Sequence, residues 1–546
     1  MGKTVGIDLG TTYSCIAYIN DVGEAEVIPN LEGSNVTPSV VYFESEDNVV
    51  VGETAKANTV LEPKSTISLV KRLMGKSDFA IEYNGKDYSP AQISSLILKK
   101  LVQDASSHLG EEVTDVVITC PAYFGTAERE ATKAAGTIAG LNVLSIINEP
   151  TAAAISYGVT RGEVNKTIMI YDLGGGTFDV TIIRIEEEDG KKVIRAIATG
   201  GDHELGGQDW DKELMIYLEE QFRAQNNFDE PFEEDEALQF EQDMRLSAEK
   251  YKKQLTTMKN VKIPVVAAGM RARVELSREK FEELTRVLLE RSIDEVDKAI
   301  ESARAKGIDK IDEMLMVGGS SKMVQVEQIL SEKYPDIPRH MYDPDEAVAK
   351  GAAIFAKECS DLLDEVGVEE GSGPADEEKK KVFQIGGDRE MSGGKTVTII
   401  NVTSKSFGVQ LVRDNGTPEG ELYVQNLIYK DSEVPLDETL PCQTFAENQT
   451  SVRLVVYESD IPDESYDINP DFVLGEAVLE FDRPMPKDSP IEVNFVLAAD
   501  GVLHLTGTDK TSGKFIKVDM QSQGIMTKEQ IEKEKSVVQH IKIMRD

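Results

Sequence analysis

Two α/β lobes facing a common cleft, followed by an all-β sandwich and a short C-terminal helix, are what this 546-residue chain predicts. Three observations carry the prediction. Short β-branched runs such as Thr167–Leu173 alternate with helical patterns such as Glu249–Met258 and Arg278–Ala305 up to about Lys357. A strand–turn–strand segment at the start is echoed near the middle. After Thr396, alternating segments such as SVRLVVYES are cut by Asn-Gly, Asp-Gly and Ser-Gly turns.

A chain of this length exceeds one ordinary core, so several domains are expected. Residues 1–357 form the α/β part. Within it, GIDLGTTYSCIAYI (Gly6–Ile19) and YDLGGGTFDVTIIRI (Tyr171–Ile185) share the order strand, Asp-x-Gly, tight turn, Thr, strand. A second echo pairs NEPTAAAISYG (Asn148–Gly158) with DPDEAVAKGAA (Asp343–Ala353), each a turn opening an Ala-rich helix. Two similar lobes with a cleft between them account for both echoes. Residues 358–395 turn to acidic residues, Lys, Gly and Ser, the texture of a solvated linker. Residues 396–522 carry the strands of the sandwich. In 523–546, Thr527 caps a short helix with Gln530 three residues on.

The formal net charge of −39 argues against a nucleic-acid partner, whose phosphates require clustered Lys and Arg. Cys15, Cys120, Cys359 and Cys442 lie far apart with no CxxC pair, as free thiols of a reducing compartment do. MGKTVGIDLG enters a strand directly, without the apolar core of a signal peptide, and no stretch of about 20 apolar residues follows. A soluble, cytoplasmic protein with no membrane partner is expected.

A hairpin turn rich in Gly and Thr can aim backbone N–H groups and hydroxyls at a phosphate, since Gly permits positive φ and close approach. Asp8 and Asp172 add carboxylates at the strand ends, suited to Mg²⁺ through its water shell. One such segment is ordinarily a strand end with a turn and nothing more; two in register can clamp a triphosphate from both sides. No GxxxxGK[ST] motif is present, and SGGKT (Ser392–Thr396) lacks the upstream Gly, which sets a P-loop ATPase aside.

The segments GIDLGTTYS, VKRLMGK, CPAYFGTAEREATKAAG, IINEPTAAAISYG, DLGGGTFDV, GGDHELGGQDWD, VGGSSKM and DPDEAVAKGAA resemble the signatures of the heat-shock 70 kDa chaperones, in that family's order. They span almost all of residues 3–357. The resemblance implies an actin-like, two-lobed ATPase domain that uses ATP/ADP, Mg²⁺ and K⁺. It implies that Gly10, Thr11, Thr12, Tyr13, Gly174, Gly175, Gly176 and Thr177 hold the phosphates, with Gly201 also at the nucleotide. Asp8, Asp172 and Asp179 would hold the cations, directly or through water. Lys71 would place its ammonium beside the γ-phosphate and the attacking water, offsetting charge in phosphoryl transfer, and Glu149 would orient that water. Glu249, Lys250, Lys252 and Lys253 from one helix, with Gly318, Gly319, Ser320, Lys322 and Asp345, would hold adenosine. Outside this context, charges at such spacing are a wet helix face. The family often has arginine where Lys253 and Lys322 stand, and lysine lacks the plane that stacks on a base. Gln208 likewise replaces an acidic residue of the family pattern.

In the C-terminal part, INVTSKSFGVQL (Ile400–Leu411) resembles the family's interdomain linker and first β-strand, and AENQTSVRLVVYES (Ala446–Ser459) the strands lining its peptide channel. That likeness implies a groove for extended apolar peptide, with Val409, Val452 and Leu454 lining a pocket and Phe445 near its rim. Ordinary sandwich core is the other reading of these residues. Pro121, Arg129, Ser145 and Asn401 fall where the family couples its domains. It usually has arginine at the position of Ser145 and aspartate at that of Asn401. The residues after Thr527 suffice for one helix, the start of a lid, and not for the family's lid bundle. Expected partners are unfolded or extended peptide segments, a J-domain co-chaperone and a nucleotide exchange factor. An ATP-dependent molecular chaperone with ATPase activity is the expected function. A non-cycling ATP-binding scaffold and a small-molecule kinase on the same fold are the alternatives, the kinase weaker because it needs no C-terminal β domain.

Overall fold

The first echoed segment becomes the strands Lys3–Asp8 and Tyr13–Ile19, and the second Lys166–Leu173 and Phe178–Glu188. The computed structural model describes residues 3–76, 79–161, 164–188, 191–366, 397–415, 417, 420–498, 501–520 and 526–544. In the first lobe Lys3–Asp8 pairs antiparallel with Tyr13–Ile19 and parallel with Val113–Cys120, itself parallel to Asn142–Asn148. In the second, Lys166–Leu173 pairs antiparallel with Phe178–Glu188 and parallel with Glu313–Val317. The shared plan puts Asp8 and Asp172 at equivalent strand ends. Both sheets are buried on their two faces, which is why Thr167–Leu173 is a nearly continuous apolar run and not an alternating one.

The two Ala-rich helices, Glu149–Arg161 and Ala347–Val366, cross with their backbones in contact: a Cβ on Gly351 would fall 1.7 Å from the Ala152 carbonyl oxygen. The second helix also lies against the first lobe's sheet, where a Cβ on Gly6 would fall 2.1 Å from the Ala353 nitrogen. It runs past the expected boundary at 357, with Cys359 buried in the core it shares with Ala152 and Ile155. The composition turns acidic while this helix still has a face to bury. The rest of the expected linker, 367–395, lies outside the described residues.

The C-terminal part is a sandwich of a five-stranded and a four-stranded sheet, with Phe407, Val456, Phe495 and Leu505 in its core. Strand Val397–Val402, expected with the sandwich, pairs instead with Lys191–Asp202 and extends the second lobe's sheet, so the sandwich proper starts with Ser406–Arg413. Helix Lys528–His540 opens on the predicted Thr527–Gln530 capping box. It lies on the first lobe, where Val538 and Ile541 join the core and Lys99 Nζ donates to both their carbonyls, at 3.1 and 2.7 Å. Lys542–Ile543 then pairs with Asn48–Val51. No described helix is long and apolar enough to cross a membrane.

Candidate active site

Between the lobes lies a cleft of about 1220 Å³, with the two Gly/Thr turns meeting in it. A Cβ on Gly175 would fall 2.0 Å from Thr12 Oγ1, and one on Gly176 would fall 2.4 Å from Thr11 Oγ1, so only glycine permits this approach. Gly10, Thr11, Thr12, Tyr13, Gly174, Gly175 and Thr177 line the cleft, with Gly176 behind them against Thr11. Helix Gly207–Asn226 is stitched to the second turn through Gly207 N to Gly174 O (3.0 Å) and Gln208 N to Gly175 O (2.9 Å).

On the cleft floor Lys71, from the 3-10 turn Val70–Leu73, donates to Glu149 Oε1 at 2.5 Å, both side chains buried. Thr119 Oγ1 donates to Asp8 at 3.2 Å and Tyr123 N to Asp179 at 3.1 Å. Burial, then the Glu149 carboxylate, push Asp8 and Asp179 up to about 7, and raise Asp172 well above the carboxylate range. Burial opposes charge on Lys71, but Glu149 and Asp8 outweigh it and hold the ammonium above its usual range. Four carboxylates, three of them buried and Asp8 partly so, against one ammonium form an anionic excess that a divalent cation relieves. Among the described residues no three His, Cys, Asp or Glu side chains converge on one ion position, and these carboxylates fit a cation that keeps water or phosphate oxygens among its ligands.

At the far end Glu249 accepts from Tyr13 Oη at 2.8 Å and Lys253 Nζ at 2.6 Å, and pairs with Lys56. Lys56 and Lys253 also stand over the Tyr13 ring, 4.7 and 4.6 Å from its centroid. Burial disfavours the Glu249 charge, yet the two lysines prevail and hold it at about 2. Lys252 Nζ donates to Gly207 O and Asp211 Oδ2, at 2.6 and 2.7 Å. Gly318, Gly319, Ser320 and the Lys322–Asp345 pair complete the wall. Besides Gly176 and Asp179, which lie behind the cleft surface, two expected residues lie elsewhere. Lys250, one position after Glu249, is turned about 100° around the helix and stands over Tyr251. Gly201 faces Asp179 across a strand pair, packed against Phe178 O. Sequence reasoning missed Lys56 and Arg72. Arg72 adjoins Lys71 in VKRLMGK, a signal that was available; nothing local marks Lys56, whose partner is 193 positions away.

A family model described as "Hsp70 protein" matches residues 4–364 and 390–544, reaching both lobes, the sandwich and the terminal helix. The chain belongs to the Hsp70 family. It is 38% identical over 518 residues to the "Chaperone protein DnaK" of Thermotoga petrophila, covering 93% of this chain and 79% of that protein. Proteins of the same name from Thermosipho africanus and Thermosipho melanesiensis are 38% and 36% identical over 517 and 536 residues. Those matches cover 93% and 97% of this chain and 78% and 82% of the relatives.

In this Hsp70 the sandwich sits directly on the nucleotide-binding half. Of the expected groove residues, Val409 and Leu454 are core: alternation along their strands turns both inward, 0% and 2% exposed. Val452 packs partly buried at the core's edge, and Phe445 lies beside Gly420 with Lys487 5.6 Å from its ring. Of the expected coupling residues, Pro121 is buried at the head of the loop that Arg129 braces through the carbonyls of Ala122 and Phe124, at 3.1 and 2.9 Å. Phe124 O also accepts from Ser404 Oγ at 3.4 Å, and Thr126 donates through N and Oγ1 to Glu458, at 3.1 and 3.2 Å. Asn401 accepts from Thr151 at 3.3 Å while Ser145 bonds the Ile146 carbonyl, so the two positions take separate partners.

Proposed function

We propose that this Hsp70 is an ATP-dependent molecular chaperone whose ATPase half controls the affinity of the sandwich for extended apolar segments of unfolded proteins. The loop Pro121–Phe124 carries this reading: Tyr123 N holds Asp179 on the cleft side, while Phe124 O takes a hydrogen bond from Ser404 on the other. A change at the cleft floor therefore reaches the segment leading into the sandwich through one short loop.

In this reading the Gly10–Tyr13 and Gly174–Thr177 turns bind the phosphates through N–H groups and hydroxyls, and Glu249, Lys252, Lys253, Gly318, Gly319, Ser320, Lys322 and Asp345 hold adenosine. Lys71 offsets charge developing on the transferred phosphoryl group, and Glu149 accepts a proton-bearing bond from the attacking water. Asp8, Asp172 and Asp179 would hold Mg²⁺ through water, with K⁺ on the same acidic floor; the bound cation neutralises phosphate charge. Val452 and Phe445 meet the peptide. A J-domain co-chaperone and a nucleotide exchange factor are the partners, and the free cysteines suit a reducing cytoplasm.

Measuring ATP turnover and peptide affinity on one sample tests it. Mg²⁺-dependent hydrolysis, with peptide bound more weakly in ATP than in ADP, is expected. Equal peptide affinity in both nucleotides would overturn the coupling, and absent turnover the ATPase.

A further inference from the structure

We infer that Arg72 is a positioning residue for hydrolysis, a clamp between the lobes that sets Lys71 against the Gly174–Thr177 turn. The inference rests on the reading of the cleft as an ATPase site. Lys71 and Arg72 are neighbours on the 3-10 turn Val70–Leu73, and at three residues per turn their side chains diverge by about 120°. Lys71 stays in its own lobe, on Glu149. Arg72 crosses to the other: its Nε donates to Gly176 O at 2.7 Å, and its two terminal nitrogens donate to the two Asp209 oxygens at 3.1 and 2.5 Å.

Both targets belong to the phosphate apparatus. Gly176 lies within the second Gly/Thr turn. Asp209 also accepts from Gly206 N at 2.8 Å, closing the first turn of helix Gly207–Asn226, which is itself stitched to Gly174 and Gly175. Gln208 presents its amide to the same guanidinium. One planar side chain thus spans the turn and the helix that supports it, with a fork that the point charge of a lysine does not reproduce.

The turn carrying Lys71 has reason to need this brace. It is entered through Leu69 at φ 62°, a left-handed conformation that leucine holds only where its surroundings impose it. Within the first lobe Val70 and Met74 anchor it to the core. Toward the second lobe, Arg72 supplies the hydrogen bonds. Closing the lobes forms the clamp and brings Lys71 to the phosphate turn in one movement; opening them undoes both.

The test is single-turnover hydrolysis and equilibrium ATP affinity of the full chain and of Arg72→Ala, Arg72→Lys and Asp209→Asn, with melting temperatures measured beside them. Arg72→Ala is expected to slow hydrolysis on the order of 100-fold, the scale of a misplaced catalytic group, while ATP affinity changes less than about threefold. Arg72→Lys recovers little of the rate, and Arg72→Ala with Asp209→Asn is no slower than Arg72→Ala alone, because the two residues act as one unit. Parallel losses of affinity and rate, additive effects of the two changes, or full activity in Arg72→Ala each overturn the inference. If Arg72→Ala does not fold, full activity of Arg72→Lys does so. A native chain without turnover overturns the ATPase reading as well, whereas an active native chain with active Arg72 variants overturns the clamp alone.

Discussion

Lys71 and Glu149 form a buried ion pair with 2.5 Å between Nζ and Oε1, and the same ammonium faces Asp8 and Asp172. Its charge is what the floor of the cleft offers to a transferring phosphoryl group. Lys71→Ala is therefore expected to lower single-turnover hydrolysis by on the order of 100-fold or more. ATP binding, measured by equilibrium titration, survives, since the turns and the adenosine wall are untouched. Unchanged turnover would remove Lys71 from its assigned role.

The crossing of the two Ala-rich helices tolerates no side chain at Gly351, because the nearest atoms to an added Cβ are the Ala152 oxygen and carbonyl carbon at 1.7 and 2.4 Å. Backbone must move. Gly351→Ala is expected to cost about 1–3 kcal/mol in reversible unfolding and to lower the melting temperature. A melting temperature at or above that of the native chain would show that the helices separate freely.

Glu458 offers a pH dependence of docking. Burial, then the neighbouring Glu128, raise it to about 7, against the lowering effects of the Thr126 hydrogen bonds and Lys405. Between its ordinary value of 4.5 and about 7 the docked state binds the extra proton. Docking through this group therefore strengthens as pH falls from 8 toward 5. Nearby His203, packed against Tyr123 and Phe124, has its charged form disfavoured by burial and acts in the opposite sense as pH falls through its ordinary 6.5. In a His203→Gln chain, interdomain distance followed by fluorescence transfer is expected to shift toward docked on acidification, and Glu458→Gln to abolish that shift. An undiminished shift in the double variant would assign it to another group.

The terminal segment belongs to the first lobe's core through Val538 and Ile541, 1% and 3% exposed. Val538→Asp is expected to destabilise that lobe by more than about 3 kcal/mol or to eject the segment. Hydrogen exchange at Asn48 and Val49, with which Lys542 and Ile543 pair, reads the ejection directly. Unaltered protection there would mean that the segment is held by other contacts.

Much of this molecule was legible without its structure wherever a few neighbouring residues settle the outcome. The twin Asp-Leu-Gly hairpins, the Thr527–Gln530 capping box and the apolar strand Val397–Val402 are decided by turn chemistry, capping and β-branched runs, which act over a handful of positions. The separate roles of Lys71 and Glu149 followed from family signatures, not from spacing, whereas their pairing did not. What only the tertiary structure decided are relationships between distant segments: Lys56 with Glu249, Arg72 with Asp209, Glu458 on Thr126, and the terminal helix on the first lobe. Even on a recognised helix, the choice between Lys250 outside the cleft and Lys252 within it depends on which face the other lobe covers. Likewise Val409 and Leu454 read as groove or core according to how the two sheets stack. Secondary structure answers to local backbone hydrogen bonding and side-chain pattern, whereas these pairings form only when folding brings the lobes and the sandwich together.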